Sequence, residues 1–464
     1  MRNRNEETIC AVSTPPGKGG ISVIRVSGPS ALKNFQKIAP SFLKQPPQSH
    51  QSKLWSLLDM QNEKVDEAVV TYFANGKSFT GEEVIEISCH GSEYITAKIL
   101  DLLVESGCSV ANRGEFTFRA FMNNKMDLVQ AESVLSLIES QSELSAKIAM
   151  RQLDGHISKN YLKIESDLTW CLAHIEASID FSTEGIDVVD QNVLQIKLQE
   201  IKSILEALIK SYHSGRIIKD GVKVVLVGEP NAGKSSLLNC LVQDEKAIVT
   251  PVAGTTRDVI EGATVFRGVK YTISDTAGLR STNDVVEKIG VEKSLKEAAF
   301  ADLLCFILDL EKEDWLEAFS KLNQLKNTKI LVIANKLDLA PSANAESVRK
   351  KLQGLANTQK HFSVVLTSAL ASDTRSRVLE AIEVELGGFS YIEEATISSS
   401  RQFENASYAF EMIETTLTEF EKKTGAEFVA MYLKEALIAL QKILGHTYDD
   451  QILDRVFKEF CLGK

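Results

Sequence analysis

The stretch "VKVVLVGEPNAGKSSLLNCLV", residues 222 to 242, decides the fold. An apolar run, a glycine-containing turn and a helix-forming run follow one another without a gap, the context a phosphate-binding loop requires. Within "GEPNAGKS" (228–235), glycines at 228 and 233 let backbone N–H groups approach phosphate oxygens. Asn231 and Ala232 complete the loop with Gly233, Lys234 can reach β- and γ-phosphates, and the Ser235 hydroxyl can bind magnesium, with Ser236 counted among the same contacts.

Four further elements follow at strand ends and in a fixed order. The loop "TPVAGTT" spans Thr250, Pro251, Val252, Ala253, Gly254, Thr255 and Thr256, and Thr256 can give magnesium a second ligand. In "DTAG", Asp275 can hold magnesium directly or through water, and after Thr276 and Ala277 the Gly278 N–H can meet a γ-phosphate. In "NKLD" (Asn335, Lys336, Leu337, Asp338), Asp338 can accept from the N1–H and 2-amino groups of guanine. Adenine has neither donor and would leave that carboxylate unpaired. Ser368, Ala369 and Leu370 match the remaining base-contacting loop. Together the five elements describe a guanine-nucleotide domain that uses GTP.

One position raises a question of mechanism. Ras-like GTPases place a water-orienting glutamine just after the DTAG glycine, where this chain has Leu279. Two replacements are open. Glu287, at the start of a helical stretch, can position water, although an acidic residue there is more often a solvated helix-start residue. Alternatively, a monovalent cation held by Asn231 and oxygens of the 250–256 loop would put positive charge beside the phosphates.

Around this block the texture of the chain changes twice. Strand-like runs at 222–228, 271–278, 302–310, 329–338 and 362–369 alternate with helical stretches, which predicts a doubly wound parallel sheet over 221–387. Residues 1–118 mix β-like runs such as "ISVIRVSG" and "EVIEISCHG" with the helical "YITAKILDLLVESG", a small α+β domain. Residues 119–220 and 388–464 carry helical periodicity, as in Val134, Leu137, Ile138 and Ile201, Leu205, Leu208. Neither helical part has many helices to pack by itself. The two are expected to form one bundle, with the α/β domain as an insertion.

The totals exclude several classes. With 464 residues, 44% of them hydrophobic, the chain exceeds one ordinary core. No run reaches the roughly 18 apolar residues of a membrane span, and the charged start lacks a secretory signal, so a cytoplasmic protein is expected. The seven cysteines are scattered without a CxxC pair, giving neither a zinc site nor a disulfide framework. A net charge of -11 argues against a surface coated in basic residues, though residues 1–50 hold seven Lys or Arg against two Glu. That run is either an RNA-facing patch or a solvated face.

The whole chain resembles the MnmE (TrmE) family of tRNA wobble-uridine modification GTPases. The resemblance rests on "TPPGKGGISVIRVSGPSA", "SFTGEEVIEISCHG", "RGEFTFRAFMNNKMDLVQAE", "IEASIDF", the nucleotide motifs and the ending "FCLGK". It implies GTP hydrolysis stimulated by potassium on Asn231, Thr250, Val252 and Thr255, with magnesium on Ser235 and Thr256, and with Glu287 orienting the attacking water. It implies a folate-binding N-terminal domain that also makes a homodimer. The positions matching its 5-formyltetrahydrofolate contacts are Arg25, Glu86, Lys125 and Lys464, with 5,10-methylenetetrahydrofolate as the carbon source.

The resemblance further implies an FAD-dependent MnmG (GidA) partner in a hetero-oligomer, FAD entering only through that partner, and tRNA as substrate. The reaction would add an aminomethyl or carboxymethylaminomethyl group at C5 of the wobble uridine, and Cys461 is implicated in it. Read from its residues alone, a cysteine such as Cys461 is more often a small buried hydrophobe. The helix before it shows a capping box in "TYDD", Thr447 to Asp450, and an apolar face of Ile452, Leu453, Val456, Phe457 and Phe460. The alternative reading is a ribosome-assembly GTPase, since related G domains with an asparagine-containing phosphate loop serve that role. "SAL" in place of the usual "SAK" or "SAR" is expected to weaken nucleotide affinity slightly.

Overall fold

The computed structural model describes residues 7–41, 48–180, 191–242, 260–275, 301–312, 319, 329–340, 346–348, 350–351, 362–388, 396–422 and 424–464. Along the chain the first elements are β1 (Ile9–Val12), β2 (Ile21–Ser27), α1 (Ala31–Ile38), β3 (Ser52–Leu58), β4 (Lys64–Phe73), β5 (Val84–His90), α2 (Glu93–Glu105) and β6 (Ser109–Val110). Helices α3 (Glu115–Met122), α4 (Leu128–Ile138), α5 (Glu143–Leu153), α6 (His156–Asp180) and α7 (Gln191–Asp220) come next. The α/β block holds β7 (Val222–Gly228), α8 (Lys234–Val242), β8 (Ile260–Phe266), β9 (Val269–Asp275), β10 (Leu303–Asp309), β11 (Ile330–Asn335), β12 (Ser363–Leu366) and α9 (Thr374–Glu385). Three helices close the chain: α10 (Ser400–Glu421), α11 (Ala426–Leu444) and α12 (Asp450–Lys458).

Two compact units result, one of residues 1–138, 149–207 and 404–464, the other of 139–148 and 208–403. The α/β block is thus inserted between helical segments. In the first unit a six-stranded sheet runs β3-β4-β5-β2-β1-β6, antiparallel except for the β1–β6 pair. Strand alternation puts Ile24, Val26, Ile85 and Ile87 on one face, where they bury against Phe35 and Ile38 of α1 and Leu102 and Leu103 of α2. On the other face, Phe116 of α3 buries with Ile9, Ala11 and Ala111.

The helices of this unit show why apolar spacing made them legible. Buried positions on α6 are Ile157, Tyr161, Ile164, Leu168, Cys171 and Ile175, steps of three and four residues that line one face. α11 repeats the pattern with Val429, Leu433, Ala436, Leu440 and Ile443, and it packs along α6. Each Leu, Ile or Val among them, fully buried, contributes about 1.5–3 kcal/mol. α4 opens on a reciprocal cap, Gln130 N donating to Asp127 Oδ1 at 2.8 Å and Asp127 N to Gln130 Oε1 at 3.0 Å.

The second unit carries the sheet β12-β11-β10-β7-β9-β8. β7 and β9 to β12 are parallel, and every residue of β10, "LLCFILD", is buried, as both faces of such a sheet must be. The sequence pattern missed β8, which lies antiparallel to β9 at the edge. Arg267 and Gly268, at φ 48° and 78°, make the two-residue turn that its pairing needs. β7 lies between β9 and β10, so the strand order reverses at β7 and its carboxyl end is where an open α/β sheet binds ligands.

Candidate functional site

The phosphate loop leaves the carboxyl end of β7 and enters α8. Asn231 and Gly233 adopt left-handed backbone, φ 66° and 93°, conformations that asparagine tolerates and glycine takes freely. A Cβ on Gly233 would stand 2.3 Å from Asn335 Nδ2. Ala232 is buried in the core beneath the loop, while Asn231, Ser235 and Ser236 are exposed. Lys234 is buried, its Nζ donating to the Gly228 and Glu229 carbonyls at 2.8 Å each. Burial lowers the pKa of its ammonium, an effect Asp275 and Glu229 oppose.

Ser235 Oγ donates to Asp275 Oδ2 at 2.8 Å, and Asp275 is 1% exposed at the end of β9. Hydroxyl and carboxylate oxygens therefore converge beside the loop, a donor set suited to magnesium. Asn335, 2% exposed, ends β11; its Nδ2 donates to the Ala232 carbonyl at 2.9 Å and its Oδ1 accepts from Ala369 N at 3.1 Å. Leu337 N donates to Thr367 O at 3.0 Å, and Leu370 N to Ser368 Oγ at 3.3 Å. Asp338 is exposed and Leu370 is 86% exposed, at the rim rather than under it.

Sequence reasoning missed Asp309. It ends β10 and accepts from Lys336 Nζ at 2.6 Å, holding that lysine, whose backbone stands at φ 65°. Burial would raise the Asp309 pKa; the bond from Lys336 and the Glu311 N–H prevail and lower it. An aspartate closing an otherwise apolar strand was the available signal. Thr250, Pro251, Val252, Ala253, Gly254, Thr255, Thr256, Thr276, Ala277, Gly278, Leu279 and Glu287 lie outside the described residues.

A second group of expected residues meets in the first unit. Antiparallel register sets Arg25 of β2 opposite Glu86 of β5, and Arg25 Nε donates to Glu86 Oε1 at 2.7 Å. They line a cavity of about 70 Å³ with Phe79, Thr80 and Phe116. The guanidinium lies 6.0 Å from the Phe79 ring centre. Burial lowers the Lys464 pKa, as does the Arg25 charge, while Glu86 and Cys461 raise it, so these four groups form one electrostatic neighbourhood. Lys125 is held differently, its Nζ donating to the Gly76 carbonyl at 3.2 Å.

The helix leading to Lys464 differs from expectation at its start. Its cap is Asp449, whose Oδ1 accepts from Gln451 N at 2.9 Å, not Thr447. α11 ends on left-handed Gly445, and Thr447 is still part of that turn, with Oγ1 donating to Gln441 Oε1 at 3.1 Å. The apolar face docks as expected, Leu453, Phe457 and Phe460 burying against Phe118, Phe121 and Leu128. Ile452 is 37% exposed and stands outside that contact. Cys461 is exposed, so it is not a core residue; Cys10, Cys89, Cys108, Cys171 and Cys305 are buried.

A phosphate loop at the switch strand, tied through one buried asparagine to the base-side loop, is the construction of a P-loop GTP-binding protein. Two family models match the chain, "GTP-binding protein TrmE N-terminus" over residues 8–125 and "MnmE helical domain" over 128–461. The tRNA modification GTPase MnmE of Bdellovibrio bacteriovorus is 50% identical, over 100% of this chain and 98% of its own. Proteins of the same description from Clostridioides difficile and Thermotoga maritima are each 36% identical over 99% of this chain, covering 99% and 100% of theirs. The chain belongs to the MnmE family of tRNA modification GTPases and is a GTPase of that family.

Among the described residues no helix is long and apolar enough to cross a membrane, and no cluster of three or more His, Cys, Asp or Glu could hold a metal ion.

Proposed function

We propose that this protein is a potassium-stimulated GTPase acting on tRNA in the cytoplasm with an FAD-dependent MnmG (GidA) partner. The pair would add an aminomethyl or carboxymethylaminomethyl group at C5 of the wobble uridine. The observation that carries the GTPase half is the Asn335 bridge between phosphate loop and base loop. The tRNA half rests on membership of the family. We take the organisation to be 1–118, 119–220, 221–387 and 388–464, the second and last forming one helical domain.

In this reading Lys234 and the loop N–H groups compensate phosphate charge as it develops, and Asp338 selects guanine. Ser235 and Thr256 would hold magnesium, with Asp275 fixing the serine hydroxyl. Asn231, Thr250, Val252 and Thr255 would hold potassium. Each ion, when bound, supplies positive charge at the phosphates. Glu287 orients water in place of the glutamine that Leu279 replaces. Hydrolysis then drives opening and closing of the G domains, which controls the modification.

The folate proposal fits the chemistry at Arg25. Glu86 Oε1 takes the arginine, leaving Oε2 open to the N–H groups of a pterin edge, while Arg25 and Lys464 suit carboxylates of a glutamyl tail. The cavity is small, so it would seat a ring edge rather than a whole ring. For the homodimer, support comes from the outer sheet face, where Leu54 pairs Val69 across strands and Ile21, Leu54 and Val69 are 68%, 61% and 43% exposed.

Mass spectrometry of tRNA nucleosides from cells with and without this protein tests the reading. Loss of 5-aminomethyl-type uridines, restored by wild type but not by Glu287→Ala or Cys461→Ser, is expected. An unchanged profile would favour a ribosome-assembly GTPase. GTP turnover should be faster in potassium than in sodium at equal ionic strength; equal rates would remove the potassium proposal.

A further inference from the structure

After α12 the chain runs from Glu459 to Lys464 outside any helix, yet it is fixed at both ends of a short bow. Phe460 is 1% exposed in the aromatic cluster of α3, α4 and α12. Gly463 is buried against the end of β1. Between them Cys461 and Leu462 face outward. The Cys461 carbonyl accepts from Gly114 N at 3.4 Å. The Gly463 carbonyl accepts from Ser13 Oγ at 3.1 Å and from Arg25 Nη1 at 3.4 Å.

Gly463 sits at φ 84°, and a Cβ there would stand 2.3 Å from Val12 O and 2.8 Å from Ser13 Cα. Only glycine supplies both that backbone and that approach. Arg25 is the group common to bow and cavity, since the same guanidinium holds Glu86 and Gly463.

We propose that Ser13 and Gly463 form a latch that positions the Cys461 thiol beside the Arg25–Glu86 cavity, Ser13 being a positioning residue. Without the Ser13 bond the segment keeps Phe460 and the Gly114–Cys461 bond as tethers, and the stretch from Cys461 onward gains motion. The link to folate chemistry rests on the reading given above; the latch itself does not. A ligand that engages Arg25 pulls on the Gly463 carbonyl, so occupancy of the cavity is felt at Cys461.

The test attaches a trifluoromethyl thiol label to Cys461, the exposed cysteine, in the full chain and reads its fluorine resonance. Wild type and Ser13→Thr should give one broad line; Ser13→Ala and Gly463→Ala should narrow it about twofold or more as the thiol gains fast motion. Melting temperatures within a few degrees of wild type would show that the fold survives. Equal linewidths in wild type and Ser13→Ala would overturn the latch. Addition of 5-formyltetrahydrofolate should shift the wild-type line; a latch seen by linewidth with no such shift would remove the folate reading and leave the latch. In cells, Ser13→Ala should lower the modified uridines and Ser13→Thr restore them.

Discussion

Asn335 donates to the Ala232 carbonyl at 2.9 Å across 103 positions of sequence. The same amide accepts from Ala369 N at 3.1 Å, so one buried side chain sets the distance between phosphate loop and base loop. Replacing it by alanine removes two neutral hydrogen bonds, about 1–3 kcal/mol in all. Asn335→Ala should therefore weaken GDP and GTP by about tenfold or more. Titration with a fluorescent guanine nucleotide measures it. Unchanged affinity would deny the clamp.

Gly233 is the steric counterpart of that clamp. Gly233→Ala would bring a Cβ to 2.3 Å from Asn335 Nδ2 at a φ of 93°, and should weaken nucleotide binding more than Asn335→Ala does. The double variant removes the obstacle along with the amide. Its loss should be smaller than the sum of the two single losses. Strict additivity in the same titration would place the effect in the backbone alone.

How legible this was depends on what each residue needed from afar. Strands β7, β10 and β11 announce themselves because most of their residues are buried and their apolar runs are nearly unbroken, while β9 shows the alternation of a strand with one face buried. β8 does not, since an edge strand interrupted by Glu261 and Gly262 has no such run. β3 hid for a related reason, most of its side chains being exposed or half-buried. Phosphate-loop residues are local in sequence and were readable. Arg25 and Glu86 lie 61 positions apart and meet only through β2–β5 register, so no local pattern marks them. The misplaced cap of α12 came from counting Thr447 toward the next helix when the chain was still leaving the last one.

The Lys336–Asp309 pair predicts a pH dependence. Asp309 has a lowered pKa in the fold, so its contribution is present above the unfolded carboxyl value and is lost as pH falls through the folded one. Lys336→Met should lower the melting temperature of the G domain at neutral pH. The gap to wild type should start to narrow as pH falls below the ordinary carboxyl range and be smallest below the lowered folded value, where the carboxyl is protonated in both. A gap constant down to pH 3 would show that the lysine acts by packing, not by charge.

Arg119 tests the N-terminal domain in the same way but with no solvent near. It is 2% exposed, and its Nη1 donates to Glu82 Oε1 and to the Glu7 carbonyl, its Nη2 to Glu115 Oε1 at 3.1 Å. Glu115 is also 2% exposed. Removing the arginine alone leaves carboxylates buried without their cation, a loss of about 3–5 kcal/mol. Arg119→Met should therefore lower the melting temperature of this domain well below that of wild type. Adding Glu115→Gln and Glu82→Gln removes the stranded charge and should recover much of the loss, because the desolvation of unpaired carboxylates is then gone. If the triple variant is no more stable than Arg119→Met, the arginine matters for the volume it fills, and the charges of its partners do not decide the stability of this domain.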